Sequence, residues 1–220
     1  MYSTTHVKGT DTWDVIVDGA RDFQIQGAPK DVLAVVVAAS QLLEDRGRAV
    51  LALRVDGEPV VSEALMEMLG GRPVEEVGTL EITSGDVQTL IAETLRELDD
   101  AIPELSKACR SLAEVFQSED PECGFDPFNK LAEIWSHIKV REQRVAHALH
   151  LDLDSLSIEG RPLKAIHEEL NQFLAEAAEG IEQNDCILLG DLLEYELAPR
   201  AEAEAAIVAM LRDRASAQSG

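Results

Sequence analysis

The spacing of histidines, cysteines and carboxylates decides which chemistries this chain could host. Glu133 and His137 stand four apart, and His147 and His150 three apart. On a helix either pair would share a face and could supply half a zinc site. Neither pair has a thiol or a third ligand at suitable spacing, so no metal site is expected. A di-iron bundle needs Glu-x-x-His on two helices. The residues three before His137, His147, His150 and His167 are Ile134, Arg144, His147 and Lys164, none of them acidic. Asp152-Leu153-Asp154-Ser155 begins like a calcium loop but lacks that loop's glycine and closing glutamate, and reads as a turn between helices. Phosphate-cradling glycine motifs and a GxSxG nucleophile turn are absent. Cys109, Cys123 and Cys186 are odd in number, without CxxC spacing and with no histidine beside them, which fits unpaired thiols in a reducing compartment. The expectation is a protein that is not an enzyme, with no catalytic, cofactor-binding or metal-binding residues and no cofactor.

Binding chemistry has one stronger candidate. The stretch from Gly190 to Pro199 joins acidic residues, leucines and one of only two tyrosines. Aromatic residues are over-represented at binding hot spots. Leu192 and Tyr195 are therefore read as anchors of a docking ridge, with Glu194 and Glu196 at its rim. Trp135 is the other aromatic candidate, its alternative being a place in the core. The plainer reading of the same stretch is a core helix with an exposed acidic face, kinked at Pro199.

Charge narrows the partners. The chain has 220 residues with 19 Lys+Arg against 42 Asp+Glu, a formal net charge of -23. Nucleic-acid affinity comes mainly from cations neutralising phosphates, so nucleic acid is excluded as a partner, and anionic membranes are disfavoured. A protein partner, drawn to the acid if basic, is expected. The longest apolar stretch, Val32 to Ala39, is far short of the ~20 residues a spanning helix needs. The opening MYSTTHVKGTDTW has neither an apolar run nor a basic start, so no secretory leader is expected and the location is read as cytoplasmic. Apolar residues make up 45%, enough to build a packed core.

The elements that must position these residues change character near Thr83. Before it, strand-like and helix-like segments alternate. Trp13, Val15 and Val17 share a strand face, Asp18-Gly19 suits a tight hairpin turn, and Phe23 to Gln26 alternates again as the returning strand. A break at Gly27-Ala28-Pro29 leads into helical spacing from Val32 to Leu43, with Pro29 placed in the first turn. Ala49 to Val55 reads as a strand, Asp56-Gly57 as a second turn, Pro59 to Val61 as a short edge strand, Ser62 to Leu69 as a short helix stopped by Gly70-Gly71, and Thr79 to Thr83 as the last strand.

That order resembles the ubiquitin-like β-grasp superfamily over residues 12–84, carried by the Asp18-Gly19 hairpin, the Val32–Leu43 helix, the Leu53 to Gly57 strand and turn, and the closing Leu80–Ile82 strand. The resemblance implies a helix lying across a mixed sheet, with the last strand beside the first, and a folded recognition head. It does not extend to a free Gly-Gly tail, because the last strand runs on into a helix, so the modifier and sulfur-carrier roles are not implied.

After Thr83 the pattern is helical and more acidic, with 28 acidic and 12 basic side chains in residues 85–220. Thr83 and Asp86 read as a capping box. Ile91, Leu95, Leu98, Ile102, Leu105, Cys109, Leu112 and Phe116 then recur in strict 4-3 steps, a coiled-coil-like seam that keeps phase across Pro103 and predicts one kinked helix. Ser118 to Gly124 reads as a loop. A second helix is expected to begin at Asp126-Pro127, with Phe128, Leu131, Trp135, Ile138, Val145 and Leu149 on its apolar face. A polar connection from Leu151 to Gly160 follows, then a third helix opened by Pro162. Asn184-Asp185 forms a turn, and a fourth helix runs from about Asp185 to Arg214.

The expected fold class is α+β, a small β-grasp-like head over residues 1–84 followed by an antiparallel, mostly four-helix acidic bundle over residues 85–220. The expected function is a non-catalytic adaptor or chaperone-like protein that binds other proteins. The alternatives are an enzyme or metal protein with its site between the bundle helices, and a homo-oligomeric structural protein. Converging buried carboxylates or histidines would favour the enzyme. The seam can be covered within one chain or by a second copy, a monomer or a homodimer. Coverage by Leu131, Ile138, Leu170 and Phe173 of the same chain is the expectation.

Overall fold

A computed structural model of the chain describes residues 14–21, 25, 29–61 and 64–218. Two compact units divide it, Met1–Leu90 and Ile91–Gly220. The fold class is α+β, as expected.

In the first unit, strands β1 (Asp14–Val17), β2 (Arg48–Val55), β3 (Glu58–Val60) and β4 (Thr79–Asp86) form one mixed sheet in the order β1-β4-β2-β3. β1 and β4 pair parallel, and the other two pairings are antiparallel. Helix α1 (Val32–Glu44) buries Val32, Val35, Val36, Ala39 and Leu43 in a core completed by Val17, Leu53, Val55, Leu80 and Ile82. The spacing of these valines and leucines puts them on one helical face, and that face is the one covered. Two turns have positive φ at both central residues, Asp18-Gly19 (51° and 82°) and Asp56-Gly57 (53° and 85°), as tight hairpins require. Their aspartates also fasten the sheet. Asp18 accepts from the Ser84 amide at 2.7 Å and the Ser84 hydroxyl at 2.6 Å, and Asp56 accepts from the amides of Gly78 and Thr79. The Ser84 bonds, seconded by Arg48, hold the Asp18 carboxyl below its usual pKa.

Several boundaries differ from expectation. Pro29 lies before α1 and not in its first turn; Asp31 caps the helix, accepting from the Ala34 amide at 2.8 Å. Thr83 lies within β4, and Asp86 alone caps the next helix through the Thr89 amide. A carboxylate directly before the first turn outcompetes a hydroxyl that the strand ladder already places. The short helix α2 covers Leu65–Leu69. Trp13, the returning strand Phe23–Gln26 apart from Ile25, Gly27-Ala28 and the expected helix start Ser62-Glu63 lie outside the described residues.

The second unit holds the long helices. Helix α3 (Val87–Phe116) crosses into it from the first and continues through Pro103. All eight seam residues, Ile91 to Phe116, are buried within the single chain. Helix α4 (Phe125–Ala148) starts one residue before the expected cap, straight from a 3-10 turn at Pro121–Gly124. Helix α5 (Leu163–Gln183) ends at Asn184, whose left-handed φ of 54° closes it. The connection before α5 is more ordered than its polar sequence suggested. A 3-10 turn at Leu153–Ser155 leads into a two-residue hairpin, β5 (Ser157–Ile158) and β6 (Arg161–Pro162), around Glu159-Gly160 with φ of 52° and 82°.

The expected fourth helix is three pieces. Helix α6 (Cys186–Asp191) passes into a π-helical turn at Leu192–Leu197, and α7 (Ala198–Gln218) continues it through Pro199. The ring of a proline presses on the carbonyl four residues back. Here that is Tyr195, inside the π turn, where the wider winding makes room; Ala198 bonds back to Leu193, five residues away. Side-chain pairs fix helix directions. Arg110–Glu202 and Arg212–Asp99 set α7 antiparallel to α3, while Lys139–Glu204 and Gln218 bonding to the Leu149 carbonyl set it parallel to α4. This is the alternation of an up-down bundle.

Candidate functional site

The described residues offer two places where function could reside, one on the surface and one inside the helical unit.

The surface place is the stretch read as a docking ridge, and the structure divides its residues. Leu192 is 5% exposed and belongs to the core, so it is no anchor. Trp135 is 1% exposed and equally internal. Both fill seam positions, which bury the largest apolar side chains first. Glu194 and Glu196 are half-buried and engaged: Gln117 donates to Glu194 at 3.2 Å, and Arg200 to Glu196 at 2.6 Å. Arg200 also lies over the Phe173 ring at 4.1 Å. Tyr195 is exposed at 64%, and its hydroxyl pKa is raised by the negative charge of Glu194. The residue missing from the ridge as expected is Ile187, 77% exposed. Ile187, Asp191 and Tyr195 recur at intervals of four and face solvent together. The surplus of leucines explains why Ile187 is left outside, since Leu189, Leu192 and Leu193 already occupy the inner face.

The internal place is polar. Along α4 the apolar seam runs Phe128, Leu131, Trp135, Ile138, then Val145 and Leu149, and its 3-4 rhythm demands one more inward residue at 142. That residue is Glu142, wholly buried. From the end of the π turn along α7, the seam Leu197, Ala201, Val208, Leu211, Ala215 leaves the same gap at 204, filled by Glu204, 2% exposed. Lys139, one turn before Glu142, extends between them. Its ammonium donates to Glu204 at 2.5 Å and to Glu142 at 3.1 Å, and lies 3.3 Å from the ring nitrogen Nε2 of His167 on α5.

One cation thus faces two carboxylates. Taking a charge out of water is costly, and a second negative charge beside it compounds the cost. Burial, then the Glu204 charge, raises Glu142 to a pKa of about 8, despite Lys139, so at neutral pH its carboxyl is held protonated. Burial also lowers His167, keeping its ring neutral. Oε2 of Glu142 accepts from Lys139, Oε1 is buried and accepts from no donor, and the protonated carboxyl shares a side-chain hydrogen bond with Glu204. Trp135 Nε1, two turns earlier on α4, is likewise unpartnered. A cavity of about 180 Å³ opens beside the cluster, lined by Lys139, Glu142, Gln143, Leu153, His167, Leu170 and Asn171.

Two buried carboxylates, Glu142 and Glu204, converge between helices with His167, the condition under which the enzyme alternative gains weight. The Lys139 ammonium occupies the point where both carboxylates and the imidazole meet, which is where a metal would have to sit. Among the described residues no group of three or more His, Cys, Asp or Glu is placed to hold a metal. Glu133, His137, His147 and His150 are all exposed. Neither Cys109 nor Cys123 offers a nucleophile of lowered pKa. Burial pushes Cys109 up to about 12, and exposed Cys123 is raised by Asp120, to which it donates at 3.0 Å. No helix among the described residues is long and apolar enough to cross a membrane.

Residues 93–204 match the family model of a domain of unknown function, DUF8042. The matched span contains Ile187 and Tyr195 and all four members of the buried cluster. No curated protein and no solved structure matches the chain.

Proposed function

The chain belongs to the DUF8042 family, and from that premise we propose that it is a non-catalytic, cytoplasmic adaptor or chaperone-like protein whose helical unit docks a basic segment of another protein. The observation that carries this reading is the pair Ile187 and Tyr195, two large apolar side chains 77% and 64% exposed, two turns apart on one face. They are set in a half with 28 acidic and 12 basic side chains. Apolar anchors ringed by one sign of charge suit a partner segment of the opposite sign. Free thiols at all three cysteines fit a reducing compartment. The first unit is read as a ubiquitin-like β-grasp head, for which the parallel β1–β4 pairing and the α1-covered mixed sheet speak. In this account it is a second recognition module.

The test is capture from the cytosol of the source cell on immobilised full-length protein, side by side with the double variant Ile187→Asp/Tyr195→Ala. The expected outcome is a basic protein held by the wild type and lost, with at least about tenfold weaker binding, from the variant. Capture of the same proteins by both would overturn the docking face.

A second reading has its own observation. The buried Glu142 and Glu204 with half-buried Lys139 and His167, beside an open cavity, support a small-molecule site in the helical unit.

A further inference from the structure

We propose that Asp191 and Tyr195 receive an arginine of the docked partner segment, its guanidinium stacked on the Tyr195 ring and paired with the Asp191 carboxylate. The inference rests on the docking face proposed above and names the side chain that this face selects.

The position of Asp191 is the first argument. It stands midway between the two anchors, four residues after Ile187 and four before Tyr195, and is itself exposed. An α-helix turns about 100° per residue, so residues eight apart stand about 80° apart around it. The wider winding of Leu192–Leu197 turns less per residue and narrows that offset, which draws Ile187, Asp191 and Tyr195 onto one ridge. A segment that lies along the ridge and covers both anchors covers Asp191 as well. A carboxylate taken out of water without a partner is costly, so the segment must bring a cation to that point.

Unused charge is the second argument. Glu196 is paired with Arg200 at 2.6 Å, and Glu194 accepts from Gln117 at 3.2 Å. Among the described residues the Asp191 side chain has neither a hydrogen bond nor an ion pair. The chain's own arginines here are committed. Arg110 on α3, which feels the Glu194 charge, binds Glu202 at 2.6 Å, and Arg200 on α7 binds Glu196 and Glu169. The charges of Glu194 and Asp191 both bear on the Tyr195 hydroxyl and raise its pKa, so the ring lies within the field of two carboxylates.

The third argument is a filled counterpart in the same molecule. The Arg200 guanidinium lies over the Phe173 ring at 4.1 Å and donates to Glu196 at 2.6 Å and to Glu169 at 3.4 Å. Tyr195, Asp191 and Glu194 repeat the ring and the two carboxylates at the surface. Planarity decides between the two basic side chains. A guanidinium lies flat on a ring while its edge donates to a carboxylate, whereas an ammonium is a compact, strongly hydrated point charge. Ile187, about 12 Å along the helix from Tyr195 at 1.5 Å per residue, then seats an apolar residue of the same segment.

The experiment selects phage-displayed random peptides on the immobilised full-length chain and discards those that Ile187→Asp/Tyr195→Ala also retains. A selected peptide is synthesised with each arginine replaced in turn by lysine and by citrulline, its neutral isostere. Binding to wild type and to Asp191→Asn is measured by fluorescence anisotropy. The expected result is one arginine whose replacement by either residue weakens binding to wild type at least about tenfold. The same replacement should change binding to Asp191→Asn far less, because the two changes remove one interaction. Peptides that need Ile187 and Tyr195 but tolerate Asp191→Asn and every arginine replacement would leave the docking face standing and overturn the arginine site. Lysine held as tightly as arginine would overturn the stacked guanidinium. A selection that yields no peptide dependent on Ile187 and Tyr195 would overturn both.

Discussion

Glu142 carries the most testable electrostatics in the molecule. Its folded pKa is raised above the unfolded value of 4.5, to about 8. The folded state therefore binds a proton more tightly than the unfolded state. That contribution to stability is complete below about pH 4.5 and is lost as pH rises through 8. His167, with a lowered pKa, has the opposite sign over the acidic part of this window. The difference between wild type and Glu142→Gln isolates the carboxyl, because His167 is common to both. Urea unfolding from pH 5 to 9 should show the wild type losing stability relative to Glu142→Gln as pH rises; parallel curves would contradict the assignment. Removing the cation is predicted to be worse. Lys139→Met leaves the buried Glu204 carboxylate beside protonated Glu142 without its cation and should cost about 3–5 kcal/mol at neutral pH, read from the same unfolding curves. The cluster was legible in principle, because both seams have a gap of the right phase at 142 and 204. A search for known ligand spacings passes over it, since its members come from three helices and two of them are merely glutamates at core positions. Ile187 was hidden differently: nothing local distinguishes an apolar residue that a crowded core leaves outside.

At the scale of elements, the 4-3 seam of α3 was fully readable, because a helix that repeats apolar residues every three and four must be covered along its length. Leu105→Ala in that seam should cost about 2–5 kcal/mol, the usual range for emptying a buried leucine site, measured by chemical denaturation. The α3–α4 corner makes a sharper demand. A Cβ on Gly124 would stand 2.7 Å from the buried Phe116 ring, so Gly124→Ala forces ring or backbone to shift. A loss of about 1–3 kcal/mol is expected; an unchanged midpoint would mean the corner has slack. The π turn and the β5–β6 hairpin were not legible. Helical periodicity at Leu188, Leu192 and Tyr195 does not distinguish a turn of wider winding, whose cause lies downstream at Pro199. A two-residue strand pair leaves no alternation to see. Asp18-Gly19 and Asp56-Gly57 were legible because the turn chemistry is local, set by two residues that accept positive φ.

For the whole molecule, the expected change of character near Thr83 falls close to the division at Leu90, and composition alone shows why: strand-like alternation gives way to heptads and a doubled surplus of acid. The seam buried within one chain predicts a melting temperature that stays constant over a hundredfold dilution, whereas a seam shared between copies would make it fall. The acidic half should also steer its partner. The central claim is docking of a basic segment on the Ile187–Tyr195 face, and one kinetic series tests it most directly. Binding of the captured partner to wild type and to Ile187→Asp/Tyr195→Ala would be followed from about 0.05 to 0.5 M salt, over which the Debye length shrinks from roughly 14 to 4 Å. The account predicts an association rate that falls steeply with salt, because steering acts at long range, and a dissociation rate that is at least about tenfold faster in the variant at every salt concentration. Dissociation at the same rate from both proteins would contradict it.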